Sequence, residues 1–178
     1  MFKLKSTKIG ILGGSFDPAH RGHLAISRIA IKKLKLKKVY WIVTKKNPFK
    51  NKTFFSLKDR IDKAKKISSK IKDIEVLYID DVIKSSKSIK VIQYILKKKK
   101  PKDLYFIVGS DILLKFHRWH SWKRIVKLAK LIVFSRKGYD RKSKKTIVVK
   151  YLNKNNITFI NNKPIEVSSS FLRKRVKI

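Results

Sequence analysis

Apolar residues recur along the chain in short dense runs, separated by longer stretches in which they return every three or four positions. The runs are KIGIL (Lys8–Leu12), KVYWIV (Lys38–Val43), IEVLYI (Ile74–Ile79), LYFIV (Leu104–Val108), LIVF (Leu131–Phe134) and ITFI (Ile157–Ile160). Their β-branched and aromatic content predicts buried strands. Between them lie a broad stripe over His20–Leu34, the set Leu57, Ile61 and Ala64, the set Ile89, Val91, Ile92, Ile95 and Leu96, and the set Trp122, Ile125, Val126 and Ala129. That spacing predicts helices, the third ending in Lys97–Lys100 before Pro101. A short lysine-rich helical segment is expected between the last two strands, and a short polar-to-basic helix from Ser168 to the end.

Alternating strands and helices build βαβ units, so the fold class is α/β, with a mostly parallel sheet and helices on both faces. Parallel strands are buried on both sides, which suits runs without polar alternation. No repeat, linker or low-complexity segment divides the 178 residues, so 1–178 is expected to form one domain.

Composition alters the picture in one respect. With 48 Lys+Arg against 11 Asp+Glu the net charge is +37, which suggests polyanionic or phosphorylated partners. The lysines, about four to each arginine, are scattered through every segment. Arginine is the usual reader of bases, so the pattern fits a solvated surface better than a nucleic-acid interface. The absence of cysteine excludes disulfides and thiolate metal sites. No apolar run approaches the roughly 20 residues of a bilayer span, so no membrane role is expected. The N-terminus has no signal-peptide pattern and a cytoplasmic protein is expected. Oligomeric state is left open.

In an open α/β sheet, ligands bind beyond the carboxyl ends of the strands. The first strand is followed by GGSFDPAHRGH. Gly13 and Gly14 are expected to turn sharply and to bring bare backbone, with Ser15 and Phe16, close to a ligand. The helix that follows offers free N–H groups to an anion. His20 and His23, three apart, share its first turn, either as ordinary surface or capping histidines or as donors to phosphate oxygens that carry charge if phosphate raises their pKa. The motif is neither GxGxxG nor a Walker A loop. The fourth strand is followed by GSDILLKFHRW. Asp111 is either a cap on the next short helix or a site carboxylate. Trp119 is either core packing or a stacking surface for a heteroaromatic ring. Near the end, VSSSFLR supplies Ser168, Ser169 and Ser170 as caps or anion donors, with Arg173 one turn on.

These motifs resemble those of the HxGH nucleotidyltransferase superfamily, and within it the nicotinate-nucleotide adenylyltransferase family. GGSFDPAHRGH is similar to its GxFxPxHxGH signature, G-x-D followed by W to its mononucleotide site, and VSSSFLR to its ISSTxxR motif, with Val167 for Ile and Ser170 for Thr. Weaker likenesses are Asn47, Pro48 and Lys50 to P-x-N-P-x-K, Ser86 and Ser88 to T-Y-T, and SRKGYD at Ser135 to SRPGY. The resemblance implies a Rossmann-like nucleotidyltransferase fold. It also implies transfer of an adenylyl group from ATP to nicotinate mononucleotide in NAD biosynthesis, giving deamido-NAD and pyrophosphate. It further implies catalytic roles for His20, His23 and Arg173; an ATP site at Gly13, Gly14, Ser15, Phe16, His20, His23, Ser168, Ser169, Ser170 and Arg173; and a mononucleotide site at Asn47, Lys50, Ser86, Ser88, Asp111 and Trp119. Mg²⁺ would be carried by ATP phosphates and water rather than by a protein cage. Phosphopantetheine or nicotinamide mononucleotide as substrate, and a basic RNA-binding module, are the competing readings.

Overall fold

The computed structural model describes residues 7–45, 52–152, 154–162 and 169–176. Six strands form one sheet: β1 (Lys8–Gly14), β2 (Lys38–Val43), β3 (Ile74–Leu77), β4 (Asp103–Gly109), β5 (Lys130–Phe134) and β6 (Ile157–Ile160). Every pairing is parallel, in the order β3-β2-β1-β4-β5-β6, so the mostly parallel sheet expected from sequence is wholly parallel. The helices are α1 (Arg21–Leu34), α2 (Leu57–Ser68), α3 (Ser88–Lys99), α4 (Ser110–Leu113), α5 (Trp122–Leu128), α6 (Asp140–Ser143), α7 (Ile147–Tyr151) and α8 (Ser169–Val176). The lysine-rich segment expected between the last two strands holds two short helices, α6 and α7.

Side-chain alternation divides the sheet into two faces. Ile11, Ile42, Phe106 and Val133 pack with α3 and α5 in one core, with Phe116 beneath them. Trp41, Val43, Ile107 and Phe134 pack with α1 and α2 in the other. Both faces are therefore apolar, as continuous hydrophobic strands require. Gly10 is small for a packing reason: a Cβ there would meet Leu36 at 3.0 Å and Val39 at 3.1 Å.

Three local expectations are corrected. β1 continues through Gly13 and Gly14, which pair with Ile42 and Val43, so the glycines extend the strand. The turn falls later, on Phe16 at φ 47° and the cis Asp17–Pro18 peptide. β3 ends at Leu77, two residues short of Ile79. The first helix begins at Arg21, with His20 as its N-cap.

The chain order places β1 beside β4, and the connections leave in opposite directions from there. The carboxyl ends of these two strands form the switch point at which such sheets bind ligands.

Candidate active site

A cleft of about 620 Å³ opens at that switch point. Gly13 and Gly14, the last residues of β1, form its floor with Ser15 and Phe16 just beyond. A Cβ on Gly13 would come no closer than 4.0 Å to any other side chain, and one on Gly14 no closer than 3.7 Å. Among the described residues nothing excludes a Cβ there, which leaves the bare backbone open to whatever occupies the cleft. Phe16 is held at its left-handed φ by its ring, stacked on Trp41 (5.2 Å, 21°) and tilted against His23 (4.8 Å). Trp41 is itself fixed by Nε1 donating to Ser27 Oγ at 2.8 Å.

The two histidines cap α1 reciprocally. The Gly22 N–H donates to His20 Nδ1 (3.1 Å), and the His20 N–H donates to His23 Nδ1 (3.2 Å). This is a capping box built from imidazoles. With both Nδ1 atoms accepting, the neutral rings carry their protons on Nε2. The ring centroids are 3.9 Å apart and both rings line the cleft. Burial, with a smaller contribution from the Arg136 guanidinium, lowers the His20 pKa from 6.5 to about 4. Without a bound phosphate, His20 is thus held in its neutral form at neutral pH.

Two further elements close the floor. The Asp17 carboxylate, 2% exposed, accepts from the N–H groups of Phe54 and Phe55, both at 2.9 Å. Arg173 on α8 donates to the Asp17 carbonyl (2.7 Å) and to Ser170 Oγ (2.9 Å), with its guanidinium 3.6 Å from Asp17 Oδ2. Ser169 Oγ donates to the Pro18 carbonyl at 3.0 Å. The C-terminal motif is therefore fastened onto the loop that carries the histidines, across about 150 residues of chain. Arg60 holds the loop from the other side. Buried to 1%, it donates to the carbonyls of Ser15 (2.7 Å), Thr44 (2.8 Å) and Phe55 (3.3 Å).

The wall beyond β4 carries Asp111 and Trp119. Asp111 lies in the first turn of α4, whose N-cap is Gly109, so it is not a cap. Its Oδ1 is 3.7 Å from Arg136 Nε. Trp119 presents one side to the cleft while its ring stacks on Phe116 (5.0 Å, 22°) and meets the edge of Phe106. The packing alternative is therefore met, in a residue that also lines the cleft.

The cleft gathers Gly13, Gly14, Ser15, Phe16, His20 and His23 with Ser86, Ser88, Asp111, Trp119, Ser169 and Ser170, while Arg173 lies bonded to Ser170 and the Asp17 carbonyl at its edge. Asn47, Lys50 and Ser168 fall outside the described residues. Sequence reasoning passed over Asp17, Arg60, Asp80 and Arg136. Arg136 could have been found, since it follows β5 at a strand end and sits in the SRKGYD turn. The others announce themselves only through partners distant in sequence.

Residues 11–175 match the cytidylyltransferase-like family. A Pelagibacter ubique protein named "Probable nicotinate-nucleotide adenylyltransferase" is 51% identical over 96% of this chain and 94% of its own length. The chain belongs to the nicotinate-nucleotide adenylyltransferase family. An Endomicrobium trichonymphae relative of the same name is 32% identical over 96% of this chain and 86% of its own. The fold matches the Plasmodium falciparum nicotinic acid mononucleotide adenylyltransferase complexed with NaAD, with a TM-score of 0.72, 19% identity, and coverage of 94% of this chain and 83% of that one.

Proposed function

We propose that this protein transfers the adenylyl group of ATP to nicotinate mononucleotide, releasing pyrophosphate and forming the dinucleotide of nicotinate and adenine. The observation that carries the reading is the pair of imidazoles whose Nδ1 atoms are both held by backbone amides, at a strand switch point floored by bare backbone.

The mononucleotide's own phosphate is the nucleophile. A phosphomonoester's second pKa is about 6, so no general base is required. A phosphate oxygen of the mononucleotide attacks the α-phosphorus of ATP. The new P–O bond forms as the bond to the bridging oxygen of the β-phosphate breaks, and that oxygen leaves with pyrophosphate. The protein's part is alignment, which can supply roughly 7–11 kcal/mol of the barrier, and fixed donors for the developing charge. His23 and His20 donate from Nε2 to the α-phosphate and its neighbours. The Gly13–Ser15 backbone lies beneath them. Ser169, Ser170 and Arg173 approach the outer phosphates from α8. Trp119 stacks on the pyridine ring, and Asp111 with Ser86 and Ser88 borders the mononucleotide.

The donor set of the phosphate end consists of imidazole, hydroxyl, amide and guanidinium groups, which suits phosphate oxygens rather than a hard cation. Mg²⁺ would therefore be carried by ATP rather than by protein ligands, and would supply charge neutralisation.

The test is pyrophosphate release from ATP and Mg²⁺ with a panel of acceptors: nicotinate mononucleotide, nicotinamide mononucleotide and phosphopantetheine. The highest kcat/KM is expected for nicotinate mononucleotide. Absence of turnover with that substrate, or a clear preference for phosphopantetheine, would overturn the assignment.

A further inference from the structure

Asp80 is a buried carboxylate that the phosphate chemistry above does not use. It lies three residues beyond the end of β3, is 5% exposed, and lines the cleft. One oxygen is anchored: Oδ2 accepts from Thr44 Oγ1 at 2.9 Å and from the Lys45 N–H at 2.8 Å. The other, Oδ1, is buried and has no hydrogen-bond partner among the described residues. Arg60 is near enough for the two charges to act on each other, but its hydrogen bonds go to the carbonyls of Ser15, Thr44 and Phe55. A buried oxygen held in place by its sister atom and left without a donor calls for an explanation.

The chemistry of the substrates narrows that explanation. A carboxylate only accepts hydrogen bonds. In a cleft for two anions it repels its ligands unless it meets a neutral donor. On nicotinate mononucleotide, at neutral pH, the phosphate and the ring carboxylate only accept, and the donors that remain are the ribose hydroxyls. Position points the same way. Asp80 follows β3 and leads through Ser86 and Ser88, which line the same cleft, into α3.

We propose that Asp80 Oδ1 accepts a hydrogen bond from a ribose hydroxyl of the mononucleotide and so selects a ribonucleotide as the adenylyl acceptor. This rests on the reaction proposed above. A site that presents a buried acceptor to a substrate hydroxyl rejects the analogue lacking it, because the acceptor is then left unpaired.

The first arm of the experiment uses the wild-type enzyme with nicotinate mononucleotide and its 2′-deoxy and 3′-deoxy forms. One deoxy form is expected to lose about 10–100-fold in kcat/KM, the range of a hydrogen bond to a charged group. The second arm uses Asp80→Asn. The Lys45 N–H demands the amide oxygen, so the NH₂ group falls where Oδ1 was and an acceptor becomes a donor. KM for the ribonucleotide is expected to rise about tenfold or more and the penalty for the deoxy form to collapse, while KM for ATP and the melting temperature hold. Equal use of both deoxy forms by the wild type overturns the proposal. So does an Asp80→Asn enzyme that keeps full discrimination, raises KM for ATP equally, or changes nicotinate-to-nicotinamide preference instead. If the variant does not fold, the wild-type series decides alone. Failure of the underlying reaction reads differently, as no pyrophosphate from the ribonucleotide itself.

Discussion

His23 occupies the third helical position of α1, where its Nδ1 accepts from the His20 N–H and its ring lines the cleft. Replacing it by alanine removes a fixed donor and half of the cap. We expect His23→Ala to lower kcat by about 10²-fold or more, as loss of one transition-state donor does, with a stability cost of about 1 kcal/mol from the cap. Turnover near the wild-type rate would remove His23 from the chemistry. His20 makes a different prediction, because burial holds its pKa near 4 against 6.5 for an ordinary histidine. Between those values the unfolded chain binds the proton and the folded protein does not. The stability that depends on a neutral His20 is therefore fully present above pH 6.5 and is lost as pH falls towards 4. His20→Asn keeps the cap and removes the titration. Denaturant unfolding at several pH values should show a shallower acid decline for the variant than for the wild type. Identical slopes would mean that the histidine is not buried neutral.

At the scale of elements, the end of β4 controls two side chains at once. Gly109 has an ordinary extended backbone (φ −85°). A Cβ there would collide with Asp111 Oδ1 and come within 3.3 Å of Arg136 Nε. Both obstacles are ends of flexible side chains, so the helix and sheet can stay in place while the carboxylate turns away. Gly109→Ala is expected to change stability by less than about 1 kcal/mol, as substitutions clear of the core do. It should nonetheless cut kcat/KM by about tenfold, the size of one displaced polar contact. A fully active, stable Gly109→Ala enzyme would show that the Asp111–Arg136 arrangement does not matter to the substrate. α8 illustrates the same dependence on neighbours. Its serines and Arg173 are readable as a cap and a basic residue in the sequence, but their direction comes from Ser169 and Arg173 binding the carbonyls of Pro18 and Asp17.

In the whole molecule, the loops after β1 and β2 and the segment before α2 are tied together by Arg60. Its burial lowers its pKa, an effect opposed by Asp17, Tyr78 and Asp80, and three carbonyls depend on it. Arg60→Met preserves much of the volume and strands those acceptors. It should cost about 3 kcal/mol of stability, measured by denaturant unfolding, and should raise KM for both substrates because Ser15 and Thr44 border the cleft. A stability change below about 1 kcal/mol would show that the carbonyls find water instead. From the sequence alone Arg60 is one polar position on an amphipathic helix, since helical spacing tells which face is apolar and not which polar residue turns inward. The strands were legible because both faces of a parallel sheet demand apolar residues. GGSFDPAHRGH stood out because it follows a strand end, where open α/β sheets bind ligands, and because it resembles a family signature.

The sequence by itself determined the alternation of strands and helices, the α/β class, and the residues rich in phosphate-binding chemistry at three strand ends, because periodicity and residue type are local properties. Tertiary structure alone decided that the turn falls on Phe16 rather than on the glycines, that burial lowers the His20 pKa, that Asp80 lines the cleft, and that Asp17 and Arg60 fasten the loops around it. Each of these depends on partners far away along the chain, and hydrogen bonding and desolvation are set by what surrounds a group in space.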